Sequence, residues 1–207
     1  MNINYSNTAL ILIGYQNDYF AKDGILTKVV EESLSAINTL SNTLGLLDAV
    51  TGNLLIISTP ITFTPNYAEL DDPVGILKTI KEVKAFQQGS SGAQTIPQIQ
   101  SYGDSIIEIP GKIGLNAFIN TNLGEVLKQK NITNLIMAGC VTSICIDSTG
   151  RSAFEQGYKV GVLSDCTSGR SSYEQKFYCD SIFPLYSRVL SSSEMILELN
   201  QNSKKYA

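Results

Sequence analysis

Short apolar runs recur along the chain and are separated by segments of mixed polarity. The runs cover residues 8–14, 54–60, 105–111, 134–140, 159–165 and 187–192. Several are apolar without interruption, which is typical of strands covered by helices on both faces. Between the first two runs, apolar residues recur at helical spacing, namely Val29, Val30, Leu34, Ile37, Leu40, Leu44 and Leu47. The pattern predicts a three-layer α/β fold, in which a six-stranded, mainly parallel sheet carries helices on both faces.

One connecting segment is long for a plain crossover. Residues 61–92 hold a polar loop, a helix opened by Asp72 and Pro73, and a glycine- and serine-rich turn. Two interpretations stay open, a crossover helix with a surface loop, or a lid or wall of a substrate site. Ligands of doubly wound sheets bind at the carboxyl ends of the strands, so the active site is expected at that edge.

Length and charge narrow the function classes. The 207 residues fit one domain, residues 1–207. The formal net charge is -4 and no basic run is present, which argues against nucleic acids and anionic membranes as partners. The apolar runs are shorter than the roughly 20 residues of a membrane span. A cytoplasmic protein that takes a small-molecule substrate is the expectation.

The chain contains no histidine. This excludes Ser-His-Asp and Cys-His catalysis and removes the commonest ligand of catalytic zinc, so acid–base work must fall to Asp, Glu, Lys, Tyr or Cys. The four cysteines show no CxxC spacing, which favours free thiols in a reducing compartment. No metal and no cofactor are expected.

The segment "AGCVTSICIDSTG" carries the strongest chemical signal. A strand ends there, and Cys145 falls in the first turn of the following helix, where free N–H groups and the helix dipole favour a thiolate. Cys140, Cys166 and Cys179 are interpreted as packing residues. Lys112 follows the third strand in "PGKIGLNAF", from which its ammonium could approach Cys145.

Together with "QNDYF" after the first strand, these motifs resemble the isochorismatase-like cysteine hydrolase family, which includes nicotinamidases, carbamoylsarcosine amidases and isochorismatases. The resemblance implies a homo-oligomer, dimer or tetramer, with an Asp-Lys-Cys triad that hydrolyses amide-like C–N bonds through a thioester. Cys145 takes the nucleophile position and Lys112 the lysine position. The resemblance also implies a cis peptide bond between Cys140 and Val141, and an oxyanion hole formed by the N–H groups of Val141 and Cys145.

The position of the family's triad aspartate is Gly14 in this chain. We expect a side-chain-sized gap beside Lys112 and Cys145, filled by ordered water or by a carboxylate from another loop. Glu69 is the first candidate for such a replacement acid and Asp18 the second. The metal-ligating positions that nicotinamidases of the family carry after the second strand have no counterpart in "STPITFTPNY".

Three functions remain open. The favoured one is a cysteine hydrolase that acts on a small amide, imide or related C–N bond. A catalytically impaired family member that binds a small molecule or a partner is the alternative from another class, and an isochorismatase acting on a vinyl ether is the third. The candidate pocket residues are Gly14 and five aromatic residues, Phe20, Phe63, Tyr67, Phe86 and Phe118.

Overall fold

The computed structural model describes residues 1–203. Within this range the strands are β1 (Thr8–Ile13), β2 (Leu55–Thr59), β3 (Ile107–Glu108), β4 (Asn134–Cys140), β5 (Lys159–Ser168) and β6 (Arg188–Leu190). They form a six-stranded sheet of order β3-β2-β1-β4-β5-β6, in which every neighbouring pair is parallel. The predicted α/β fold is confirmed.

The helices of the described range are α1 (Asn17–Phe20), α2 (Thr27–Ile37), α3 (Thr39–Val50), α4 (Gly75–Val83), α5 (Pro97–Gln100), α6 (Leu123–Gln129), α7 (Asp147–Glu155), α8 (Ser172–Phe177) and α9 (Ser192–Ser203). The helical pattern between β1 and β2 is divided into α2 and α3 by Asn38, whose φ of 57° is left-handed. Asparagine adopts this conformation more readily than most residues. No helix of the described range is long and apolar enough to cross a membrane.

The core has two halves because successive strand residues point to opposite faces of the sheet. On one face, Leu10 and Leu12 of β1 pack in a cluster with α3 and α9. On the other face, Ile11 and Ile13 pack in a cluster with α6 and α7. All six residues of β1 are buried, so this strand is the centre of both halves.

Two strands differ by more than two residues from a predicted end. β5 continues to Ser168, with a register shift against β4 between Met137 and Gly139. β3 is only two residues long, although an apolar run of seven residues predicted it. It lies at the sheet edge, pairs only with β2, and leaves Ile107 38% exposed, so little packing extends it.

The two central strands define where a site can form. From β1 the chain builds β2 and β3 on one side and then returns to build β4, β5 and β6 on the other. β1 and β4 are therefore the point at which the strand order reverses, and Ile13 pairs with Gly139 at their carboxyl ends. Ligand sites of such sheets lie in the crevice outside this point. Gly14 and Cys140 both stand there.

Candidate active site

Cys145 lies in a tight turn between β4 and α7. Residues Thr142–Ile146 form a π-helical turn that leads directly into α7. The carbonyl of Val141 closes this turn by accepting hydrogen bonds from the N–H groups of Ile144 (3.0 Å) and Ile146 (3.2 Å). The peptide bond between Cys140 and Val141 is cis, the isomer that the resemblance implied there. The thiol of Cys145 thus lies at the amino-terminal end of a helical segment, where partial positive charge favours an anion.

Two side chains of α8 attach this turn to the rest of the sheet. Thr142 donates its hydroxyl hydrogen to the side-chain oxygen of Gln175, and the Gln175 amide donates to Ser164 and Thr167 on β5. Next to it, Ser143 donates to Glu174 over 2.6 Å. Sequence reasoning missed Gln175 and Glu174, because "SSYEQKFYC" reads simply as a helix that presents aromatic residues to the core.

Lys112 reaches Cys145 from the loop after β3. Its Nζ lies 3.5 Å from the Cys145 Sγ, and the residue is only 1% exposed. The loop is held by two backbone contacts, since Thr62 donates to the Lys112 carbonyl and Ala117 donates to the Thr149 hydroxyl, each over 3.1 Å. Among the described residues, no ion pair includes Lys112. An unpaired buried charge is costly, so the thiolate of Cys145 is the natural counter-ion of this lysine.

The space beside Gly14 is smaller than the predicted side-chain-sized gap. Gly14 has a φ of +76°, and a Cβ atom built on it would lie 2.7 Å from the carbonyl oxygen of Cys140 and 3.1 Å from the Cys140 Sγ. The Cys140 thiol also points at the Gly14 carbonyl, 3.6 Å away. Cys140 therefore occupies the place that a side chain on Gly14 would take.

Neither proposed replacement acid lies at the thiol. The carboxylate of Glu69 accepts two hydrogen bonds from Thr64, from its N–H (3.0 Å) and its hydroxyl (2.8 Å). The carboxylate of Asp18 accepts the N–H of Phe86 at 2.6 Å and lies against Gly92. Both carboxylates hold the long 61–92 segment in shape, and within the described residues neither contacts Lys112 or Cys145. The replacement by Glu69 or Asp18 was wrong.

A small cavity lies over the thiol. It is lined by Ile13, Gly14, Tyr19, Ile61, Ile76, Ile80, Lys112, Leu115, Cys140, Ile144 and Cys145. The volume open to the centre of a water molecule is about 10 Å³, which is room for about one water. Ile61, Ile76 and Ile80 come from the 61–92 segment, which thus forms one wall of the cavity.

Of the six predicted pocket residues, only Gly14 lines this cavity. Phe20 stacks on Tyr15 with ring centres 5.0 Å apart, and Phe118 stacks on Tyr158 at 6.0 Å. Phe63 packs on Tyr67, whose hydroxyl donates to the Ala85 carbonyl, and Phe86 packs on Tyr19. The five aromatic residues are packing residues around the site because their rings find partners in the core and loops instead of the cavity.

Tyr19 is the lining residue with a side-chain hydroxyl, and sequence reasoning missed it. It is buried at the end of the "QNDY" motif, where no spacing signal separates it from the packing aromatics nearby. Burial raises the pKa of its phenol well above the ordinary value, and the nearby Cys145, Cys140 and Asp18 raise it further. The phenol is therefore neutral at physiological pH and carries a proton.

The other three thiols lie in environments that oppose ionisation. Burial raises the pKa of Cys140 well above its ordinary value, that of Cys166 to about 12 and that of Cys179 to about 11. All four cysteines are free. Within residues 1–203, no three Cys, Asp or Glu side chains are grouped in a way that would hold a metal ion.

The contact between Gly14 and Cys140 predicts a loss of stability on substitution. Gly14→Ala introduces a left-handed alanine and a Cβ too close to the Cys140 carbonyl. We expect the free energy of unfolding to fall by about 2 kcal/mol. That corresponds to a decrease in Tm of about 4–8 °C for a chain of this size, measured by calorimetry.

Gly45→Ala is the matched control, since Gly45 is exposed on α3 with nothing within 4 Å of its Cβ position. Alanine favours a helix interior by roughly 0.5–1 kcal/mol, so this variant should be slightly more stable. An unchanged Tm in Gly14→Ala would contradict the close contact.

The four thiols should differ sharply in alkylation. At pH 7 iodoacetamide should label Cys145 first, because Lys112 stabilises its thiolate whereas the raised pKa values keep the other thiols protonated. The preference should decrease as the pH rises toward 11 and 12, where Cys179 and then Cys166 ionise. Peptide mass spectrometry measures each rate.

Lys112→Met should slow the labelling of Cys145 at least about tenfold, because it removes the cation beside the sulfur. Lys128→Met, at an exposed position of α6, should leave the rate unchanged. Equal labelling of the four cysteines at pH 7 would show that the pair does not activate Cys145.

The chain is similar to known proteins over most of its length. A family model described as the isochorismatase domain matches residues 8–194. The ureidoacrylate amidohydrolase RutB of Rhizobium rhizogenes is 26% identical over 175 residues, which are 78% of this chain and 70% of that protein.

Two solved structures have the same fold. A cysteine hydrolase from Pseudomonas syringae pv. phaseolicola 1448A matches with a TM-score of 0.83 and 18% identity, over 97% of this chain and 96% of that one. N-carbamoylsarcosine amidase from Thermoplasma acidophilum matches with a TM-score of 0.70 and 18% identity, over 90% and 96% of the two chains. With a family match that spans nearly the whole sequence, the chain belongs to the isochorismatase family.

Proposed function

We propose that the protein is a cysteine hydrolase that cleaves a small amide, imide or related C–N bond through a thioester on Cys145. The observation that carries the proposal is the buried contact of 3.5 Å between Lys112 Nζ and Cys145 Sγ at the wall of a small cavity. A thiolate held by an ammonium at the start of a helix is a strong nucleophile at neutral pH.

Catalysis begins with attack of the Cys145 thiolate on the substrate carbonyl carbon. The N–H groups of Val141 and Cys145 are the proposed donors to the oxyanion that forms, as they belong to the turn that holds the sulfur. Collapse of the tetrahedral intermediate breaks the C–N bond and leaves the acyl group on sulfur. Water then attacks the thioester and returns Cys145 to its resting state.

Cavity size and relatives together limit the substrate. The cavity between Tyr19, Ile76 and Ile80 measures only about 10 Å³, so the acyl group is expected to be small. RutB is named for ureidoacrylate, and the structural relative for N-carbamoylsarcosine. Both names describe a carbamoyl nitrogen on a small acid, and we propose compounds of this class beside simple amides as the first substrates to test.

The absence of a carboxylate at the thiol favours one alternative. Carboxylates are frequent general acids and bases, and none of the described carboxylates contacts Lys112 or Cys145. A protein that binds a small molecule in the same cavity without turning it over is therefore the second candidate.

Product release separates the two candidates. A panel of small amides, imides and N-carbamoyl acids should include a compound from which the protein releases ammonia or an amine, measured by a coupled ammonia assay and by mass spectrometry. Cys145→Ala should lower kcat at least about 1,000-fold because no thioester can form. Lys112→Met should lower it at least about 100-fold.

The control for folding is Cys179→Ala, which removes a half-buried thiol away from the cavity and should retain turnover. If a compound binds and raises Tm without any product, the binding protein is the correct assignment. Equal turnover by the wild type and Cys145→Ala would remove Cys145 as nucleophile.

A further inference from the structure

The cavity contains few groups that can give a proton to a leaving amine. Besides backbone, its polar atoms are the sulfurs of Cys140 and Cys145, the Lys112 ammonium and the Tyr19 hydroxyl. Lys112 donates to Cys145, and the Cys140 thiol donates to the Gly14 carbonyl. A poor leaving group such as ammonia departs only when its nitrogen is protonated. The group that supplies this proton must lie beside the scissile bond.

Tyr19 differs from the other three side chains of this set, because its hydroxyl makes no hydrogen bond to any residue within 1–203. The residue is only 3% exposed and lines the cavity, so a bound substrate is the natural partner of this hydroxyl. Cys140 and Cys145 line the same cavity, and charge on either sulfur raises the pKa of the Tyr19 phenol. The Tyr19 ring packs against Phe86 at an angle of 53°, with ring centres 5.1 Å apart, which restrains its orientation.

We propose that the Tyr19 hydroxyl is the general acid that protonates the leaving nitrogen in this active site. The inference rests on the proposed hydrolase function. It assigns to Tyr19 the proton transfer that a carboxylate at position 14 would otherwise perform, since Cys140 occupies that space.

Each bond and proton of the acylation step is supplied by the substrate, Cys145, Tyr19 or Lys112. The Cys145 sulfur forms a bond to the carbonyl carbon, and the carbonyl π pair moves to oxygen. When this pair re-forms the C=O bond, the C–N bond breaks and the nitrogen takes the Tyr19 proton, giving a free amine. The Tyr19 phenolate takes a proton from the Lys112 ammonium. Water then attacks the thioester and gives one proton to Lys112, the C–S bond breaks, and a carboxylic acid leaves.

The same chemistry makes Tyr19 a better acid at the correct moment. The negative charge of the Cys145 thiolate opposes ionisation of the neighbouring phenol. Formation of the C–S bond removes that charge from sulfur just before the amine leaves. The contribution of Cys145 to the raised pKa of Tyr19 then disappears, and burial is the main cause that persists.

Dependence on the leaving group tests the assignment. The two substrates are the amide of the panel that the wild type turns over fastest and the 4-nitrophenyl ester of the same acyl group. Tyr19→Phe should lower kcat for the amide at least about 100-fold. It should change kcat for the ester less than about threefold, because 4-nitrophenolate leaves without a proton.

Tyr67→Phe is the matched control. Tyr67 and Tyr19 belong to one cluster of buried hydrophobic residues. The Tyr67 hydroxyl donates to the Ala85 carbonyl, and Tyr67 does not line the cavity. It should show the same amide-to-ester ratio as the wild type. The rate of Cys145 alkylation in Tyr19→Phe, expected to match the wild type, shows that the variant is folded with its thiol intact.

The outcomes separate this inference from the proposed function. If Tyr19→Phe slows amide and ester equally, or slows neither, the assignment of Tyr19 is overturned while the hydrolase remains. If the wild type hydrolyses the ester through Cys145 but no amide of the panel, the C–N hydrolase and the acid role of Tyr19 fail together. Selective loss of amide turnover supports both.

Discussion

The contact between Lys112 and Cys145 is the constraint on which the site depends. A lysine that is 1% exposed, with no carboxylate partner among the described residues, is tolerated only if a nearby group compensates its charge or its proton leaves. The Cys145 sulfur accepts a hydrogen bond from this lysine. The fold therefore brings the proposed nucleophile and its basic partner together where, among the described residues, neither contacts a carboxylate. Three segments surround this contact, namely the loop after β3, the turn after β4 and helix α4.

Close packing at the carboxyl ends of β1 and β4 leaves no room for an acidic side chain at position 14. Gly14 and Cys140 follow paired residues of the two central strands, and the Cys140 carbonyl occupies the place of a side chain on Gly14. A carboxylate on the first strand has no room in this arrangement. The lining residues with ionisable side chains are Tyr19, Lys112, Cys140 and Cys145. Gly14 thus allows the backbone after β1 to lie close to the Cys140 carbonyl, and its left-handed φ is a second reason for a glycine at this position.

The sequence was most informative where one local rule determines structure. Short, mainly apolar runs located all six strands, and a cysteine after a strand end followed by a helix located Cys145. The break between α2 and α3 at Asn38 was not predicted, because the hydrophobic spacing continues through it. Only the backbone shows that Asn38 is left-handed. The size of the space at Gly14 could not be predicted because it depends on Cys140, a residue 126 positions away that lies beside Gly14 only after the sheet has formed.

Asp18 and Glu69 show that the role of a carboxylate also depends on contacts that the sequence does not reveal. Asp18 and Glu69 were interpreted as acids because both follow strands at the carboxyl edge, yet each accepts hydrogen bonds from backbone N–H groups of the 61–92 segment and its neighbours. A loop of this length has many unpaired N–H groups, and buried ones require acceptors. The two carboxylates satisfy that requirement, which keeps Ile76 and Ile80 of α4 positioned over the thiol. Lys112 comes from the loop after β3 and Cys145 from the turn after β4, so the site is assembled by loops at the carboxyl edge of the sheet, and the hydrogen bonds that shape these loops also shape the cavity.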